Sequence, residues 1–135
     1  MARIVIVDDT ELLREALQLV LERAGHDVVT ATSGLGIEGV VARHKAELVI
    51  TDMLMPDRDG VATVMALRRN RPGLHIIAMS GGGTRGNLDL DMASKLGVSA
   101  TLAKPFEPRE LVALVAEILA GPSPKASAPL LRPSR

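Results

Sequence analysis

Five short apolar runs, each followed by a stretch of helical hydrophobic spacing, constrain this 135-residue chain more than any other feature. The runs are Ile4–Val7, Val28–Ala31, Leu48–Thr51, His75–Met79 and Ser99–Ala103. The first, third and fourth are almost unbroken in Ile, Val, Leu and Ala, as parallel strands covered on both faces should be. In the first intervening stretch Leu12, Leu13, Ala16, Leu17, Val20 and Leu21 recur at helical spacing, and Gly25 stops the pattern. Residues 34–45, 60–71, 87–96 and 107–120 are the other helix candidates. The last carries Leu111, Val112, Leu114, Val115, Ile118 and Leu119, with Glu107, Pro108 and Glu110 suited to its first turn.

Five strand–helix units of this size imply an α/β sandwich: a parallel sheet between helices, with right-handed crossovers. A flavodoxin-like, doubly wound five-stranded sheet of order 2-1-3-4-5 is expected. Its ligand site belongs at the carboxyl ends of the strands, near the point where strand order reverses. Residues 1–120 suit one domain. Residues 121–135 contain four Pro and three Ser, cannot bury a core, and are expected to be a disordered tail.

Composition excludes several functions. Net charge is zero, but the tail holds Lys125, Arg132 and Arg135 and no acid, leaving 13 bases against 16 acids in the first 120 residues. No basic stripe runs through the body, which argues against duplex DNA. Aromatics amount to 1%, a single Phe106, which argues against base stacking and places Phe106 in the core. The methionines Met53, Met55, Met65, Met79 and Met92 are expected to fill gaps in that aliphatic core. Absence of cysteine removes disulfides and thiol ligands and is compatible with a cytoplasmic location. The N-terminal apolar run is ended by two acids and is neither a signal peptide nor a membrane span.

The strand ends carry the chemistry. Asp8 and Asp9 end the first strand, Asp52 the third, Ser80 the fourth and Lys104 the fifth, all on the carboxyl edge of such a sheet. Clustered carboxylates raise each other's pKa unless a cation lies between them. An all-oxygen set without His or Cys suits Mg²⁺, with Mn²⁺ a possible substitute. A carboxylate can act as a nucleophile toward phosphorus, and the rest of the site then has to position the donor and neutralise charge on its oxygens. Each residue alone has a blander reading: Asp9-Thr10-Glu11 as a helix cap, Lys104-Pro105 as a turn, Ser80 as a surface hydroxyl. Convergence of all of them on one edge favours the functional reading.

Residues 3–120 resemble the receiver domains of two-component response regulators. The likeness rests on Ile4–Asp9 (IVIVDD), Val49–Gly60 (VITDMLMPDRDG), Met79–Gly82 (MSGG) and Ala103–Phe106 (AKPF), and on the spacing among them. It implies a CheY-like, single-domain response regulator in a phosphorelay. Asp52 would be the phosphoacceptor, and Asp8 and Asp9 the acidic pair holding Mg²⁺ beside it. Leu54 would give its backbone carbonyl to the metal, Ser80 would be the hydroxyl that moves toward the phosphoryl group, and Lys104 the family lysine. The resemblance further implies a cis bond before Pro105, turn roles for Pro56 and Gly60, and a sensor histidine kinase or histidine-containing phosphotransfer protein as partner, without nucleic acid or membrane. Such a domain is a phosphoacceptor that assists its own transfer and dephosphorylation, and it turns over no separate substrate. Two departures stand out. Thr101 occupies the position where relatives carry the aromatic switch residue. The loop Gly81-Gly82-Gly83-Thr84-Arg85-Gly86 is unusually rich in glycine, which permits φ > 0 and should make it mobile. Ordering of this loop by Ser80 is the expected output.

Three other readings compete. Gly81, Gly83 and Gly86 fit G-x-G-x-x-G with Glu107 about 20 residues on, the fingerprint of a dinucleotide site, but the motif follows the fourth strand rather than the first. A haloacid dehalogenase-type hydrolase needs a second acid two residues after its nucleophile, where this chain has Leu54 after Asp52 and Thr10 after Asp8. A scaffold that binds partners without phosphorylation sits badly with the complete acid–Ser–Lys set. His26, His44 and His75 fall away from the acids in this topology and are read as structural or solvated.

Overall fold

The computed structural model describes residues 1–54, 59–81 and 84–121, the side chains of Thr84 and Arg85 excepted. Five strands alternate with five helices: β1 (Arg3–Val7), α1 (Glu11–Arg23), β2 (Asp27–Ala31), α2 (Ile37–His44), β3 (Leu48–Asp52), α3 (Gly60–Asn70), β4 (His75–Ser80), α4 (Thr84–Lys95), β5 (Ala100–Ala103) and α5 (Pro108–Ala120). All pairings are parallel and the order is β2-β1-β3-β4-β5. The expected architecture is therefore the observed one.

Side chains of the inner strands alternate between two apolar layers. Ile4, Ile6, Leu48, Ile50, Ile77 and Met79 face Leu17 and Leu21 of α1 and Leu111 and Val115 of α5. Val5, Val7, Val49, Ile76 and Ala78 face Ile37 and Val41 of α2, Val64 and Leu67 of α3 and Ala93 of α4. Because both faces are covered, the strands read as continuous apolar runs rather than alternating ones. Phe106 packs against the α1/α5 layer, in line with its core reading.

Boundaries follow local chemistry. Gly25 ends α1 at φ +98, a conformation in which a Cβ would be strained. Asp59 caps α3 by accepting the Val61 amide at 3.1 Å. Pro108 opens α5, one residue later than the sequence pattern suggested, because Glu107 is the cap; its amide donates to Glu110 Oε1 at 3.2 Å. Helix α4 starts at Thr84, three residues earlier than its apolar periodicity indicates. Of the methionines expected in the core, Met53 and Met79 are buried, whereas Met65 and Met92 are nearly half exposed. Met55 lies outside the described residues. Packing is supplied by Ile, Leu and Val, so the outer helix faces retain methionine without needing it as filler.

The histidines make local contacts. His26 Nδ1 accepts the Ala2 amide at 3.1 Å, His44 Nε2 lies 3.2 Å from the Asp27 carbonyl, and His75 Nδ1 lies 3.1 Å from Ser99 Oγ. No helix among the described residues is long and apolar enough to cross a membrane. Pro56 and residues 122–135 lie outside the described residues.

Candidate functional site

Parallel strands end together, so the residues that terminate β1, β3, β4 and β5 share one edge of the sheet. Carboxylate oxygens of Asp8, Asp9 and Asp52, one from each, lie within 4.8 Å of one another. Asp8 and Asp52 are buried, at 0% and 5% exposure, while Asp9 is open to solvent. Lys104, at the end of β5, bridges the two buried acids: Nζ donates to Asp8 Oδ2 at 2.9 Å and to Asp52 Oδ2 at 3.0 Å. The other oxygens take backbone amides, Asp8 Oδ1 from Thr10 at 2.8 Å and Asp52 Oδ1 from Leu54 at 3.0 Å.

The turns that present these acids are pinned. Arg14 Nη1 donates to the Asp8 carbonyl at 2.8 Å, and the Asp8 amide donates to Ala31 at 3.2 Å. Thr51 Oγ1 donates to the Asp52 carbonyl at 3.1 Å, and the Met53 amide to Met79 at 2.8 Å. Sequence reasoning missed Arg14, because an arginine in an early helical turn reads as solvated surface. Thr10 precedes α1 as its cap residue but makes no side-chain capping bond. The Asp8 carboxylate organises that turn instead, which weakens the purely capping reading of the acidic pair.

Electrostatics follow burial and pairing. Burial pushes the Asp52 carboxyl above its ordinary 3.8, opposed by hydrogen bonds from the Leu54 amide and Lys104. Burial alone would lower Lys104, yet its hydrogen bonds and charge attraction to Asp8 and Asp52 leave it above its ordinary 10.5. Two buried carboxyl groups and an exposed third thus share one lysine side chain. This excess of acidic groups, carrying only hard oxygen donors, fits a small divalent cation such as Mg²⁺.

Ser80 is buried, at 1% exposure, and its carbonyl accepts the Lys104 amide at 2.7 Å. Lys104–Pro105 is cis. Leu54 is exposed beside Asp52. Thr101 is buried on β5, in register with Ala78 and, through it, with Thr51 and Val7, so no aromatic side chain occupies that row. Gly60 is required for space rather than for backbone rotation: a Cβ there would stand 2.4 Å from the Met53 carbonyl oxygen. Gly81 and Gly86 likewise have no positive φ, contrary to the reason given above for glycine in this loop. Gly82 and Gly83 lie outside the described residues, and with them the central part of the G-x-G-x-x-G alternative. Gly86 already belongs to α4, and the loop follows β4, whereas strand order reverses between β1 and β3. A cavity of about 430 Å³ lined by Glu47, Arg71, His75 and Leu119 contains none of the site acids.

Comparison with known proteins agrees with this fold. The family model described as the response regulator receiver domain matches residues 4–116. The chain is 34% identical over 128 residues to the DNA-binding transcriptional regulator NtrC of Azospirillum brasilense, covering 95% of this chain and 26% of that protein. It is 32% identical to the alkaline phosphatase synthesis transcriptional regulatory protein PhoP of Bacillus subtilis, covering 87% of this chain and 48% of that protein. This chain therefore spans about a quarter to a half of these relatives. Among solved structures, a putative response regulator from Chloroflexus aurantiacus superposes with TM-score 0.80 at 33% identity, covering 89% of this chain and 98% of the other. A CheY-like receiver domain protein from Methanospirillum hungatei gives TM-score 0.82 at 25% identity, over 89% and 94%.

Proposed function

This chain belongs to the receiver-domain family of two-component response regulators, and from that premise we propose that Asp52 is its phosphoacceptor, served by Asp8, Asp9, Ser80 and Lys104. The observation that carries this reading is one lysine bridging two buried carboxylates, beside an exposed third, at the carboxyl edge of the sheet.

Asp8, Asp9 and Asp52, with the Leu54 carbonyl, would hold Mg²⁺. Bound there, the ion screens the acids and withdraws charge from phosphoryl oxygens. The ionised Asp52 carboxylate attacks phosphorus. A new P–O bond forms as the bond to the donor breaks, a phosphohistidine nitrogen or the acetate of acetyl phosphate. The departing imidazole keeps the bonding pair and takes up a proton. Lys104 pairs with one phosphoryl oxygen and the Ser80 hydroxyl donates to another, which is positioning and charge stabilisation rather than covalent help. Hydrogen bonds from the Leu54 amide and Lys104 oppose, without cancelling, the rise that burial gives the Asp52 pKa. Labelling should therefore accelerate as pH rises through the elevated Asp52 pKa and then level off.

The partners of this reading are a histidine kinase or histidine phosphotransfer protein in the cytoplasm, and a downstream protein that reads the Ser80 region. No aromatic stands at Thr101 to transmit the change, which leaves the β4–α4 connection as the route. We assign the acceptor role no turnover of a separate substrate. On this reading residues 1–120 form the receiver unit, and removing 121–135 should not alter labelling.

Incubation with acetyl phosphate and Mg²⁺, followed by intact mass, tests the proposal. The wild-type chain should gain one phosphoryl group, Asp52→Asn none, and Asp9→Ala should lose most of its metal dependence. Labelling of Asp52→Asn to the wild-type extent would refute the assignment.

A further inference from the structure

Glycine inside a helix is unfavourable, so Gly86 in the first turn of α4 needs a reason. Its φ is not positive, which removes the usual one. The reason is contact: a Cβ on Gly86 would stand 1.7 Å from the Gly81 carbonyl oxygen, 2.8 Å from the Gly81 carbonyl carbon and 3.3 Å from Ser80 Oγ. The first turn of α4 therefore seats directly on the backbone that follows Ser80, and only a hydrogen atom fits between them. Gly86 is itself buried, and nothing lies within 4 Å of a Cβ built on Gly81, so the close approach is one-sided.

The same seat has a floor of small side chains. Ala78 and Thr101 are register partners in β4 and β5 beneath α4, and Ala93 is the buried residue of α4 in that layer. Small residues let the helix axis approach the sheet. Ser80 is held between this helix and the β5 end, where its carbonyl accepts the Lys104 amide at 2.7 Å.

We propose that Gly86 is a positioning residue for the phosphoryl site, acting by pressing the first turn of α4 onto the Ser80–Gly81 backbone so that the Ser80 hydroxyl is aimed at the group carried on Asp52. The inference rests on the phosphoacceptor reading above. The three atoms nearest a Cβ on Gly86 belong to Gly81 and Ser80 and none to the site acids, so the expected effect is read through Ser80 and is separable from a general effect on folding.

The test is a double-mutant cycle on the full chain, read as the rate of acetyl phosphate labelling with Mg²⁺ and as the half-life of the phosphorylated protein. Gly86→Ala should slow labelling roughly ten- to a hundred-fold, the change expected when one hydrogen bond to a charged group is lost. Ser80→Ala should slow it to a similar extent. In the double variant the second substitution should add nothing, since both remove the same contact. Asn87→Ala, exposed in the same turn, should label at the wild-type rate and control for helix propensity. Slowing by Gly86→Ala that multiplies that of Ser80→Ala, or a Gly86→Ala protein that labels like wild type, overturns the inference. If Gly86→Ala loses its cooperative melt, the cycle is run with Asn87→Gly, which loosens the same turn without adding a Cβ. Ser80-dependent slowing is then required, and wild-type labelling overturns the inference equally. A wild-type chain that takes no phosphoryl group, or an Asp52→Asn chain that takes one, refutes the acceptor assignment instead, so the two failures are distinct.

Discussion

Replacing Lys104 with methionine removes the positive charge that bridges the Asp8 and Asp52 carboxylates while keeping an aliphatic side chain of similar length. Two charge-assisted hydrogen bonds are lost, each worth about 1.5–3 kcal/mol. Breaking one partner out of a fully buried ion pair costs about 3–5 kcal/mol, because the remaining charge is stranded. Here the Lys104 side chain is 21% exposed, so water reaches the site and part of the loss is recovered. The expected net destabilisation is about 2–3 kcal/mol without divalent metal. For a domain of this size that corresponds to a fall of roughly 8–12 °C in Tm. Differential scanning calorimetry at neutral pH with EDTA measures it. The sign with pH is also fixed. Asp52 has a raised folded-state pKa, so acidification protonates it and removes its stranded charge. The gap between Lys104→Met and wild type must therefore shrink as pH falls from neutrality. Millimolar Mg²⁺ should shrink it too, by supplying another cation to the acids. A Tm within roughly 2 °C of wild type in EDTA, or a gap that widens in acid, would refute the reasoning.

Asp52→Asn should do the reverse and stabilise the metal-free protein at neutral pH. A raised folded-state pKa means that stability is lost as pH climbs from the ordinary 3.8 through the folded value, and asparagine lacks that slope; urea midpoints across this range should converge for the two proteins in acid. Gly60→Ala should cost roughly 1–3 kcal/mol despite better helix propensity, because its Cβ meets the Met53 backbone at 2.4 Å; equal or higher urea midpoints would show that the turn simply yields. Burial holds His26 and His75 below their ordinary 6.5, His26 assisted by the nearby N-terminal charge and His75 by Arg68. Their contribution is present above 6.5 and lost as pH falls through the depressed values, so a His26→Gln/His75→Gln protein should lose less stability than wild type between about pH 7 and about pH 5. A steeper acid loss in that variant would contradict the contacts assigned to both rings.

The order of elements was legible in the sequence because an inner parallel strand is apolar on both faces and a helix on one, and these periods do not depend on distant residues. Asp8, Asp9, Asp52, Ser80 and Lys104 were legible for the same reason: each ends a strand, and parallel strands end together. Helix ends were less so. The start of α4 escaped because its first turn is set by contact with Gly81 rather than by apolar spacing, and the exposure of Met65 and Met92 depends on which face of each helix meets the sheet.

Composition and spacing by themselves determined a doubly wound sheet with an acidic carboxyl edge. Only the tertiary structure decided that Lys104 reaches two acids, 96 and 52 residues away along the chain, at hydrogen-bond distance. It also decided that burial lifts the Asp52 pKa, that Arg14 holds the Asp8 turn, and that Gly60 and Gly86 serve close approach rather than backbone freedom. Strand and helix periods are local properties of the chain. Desolvation, ion pairing and steric exclusion act between segments, and their strengths are set by distances that exist only once the segments have packed.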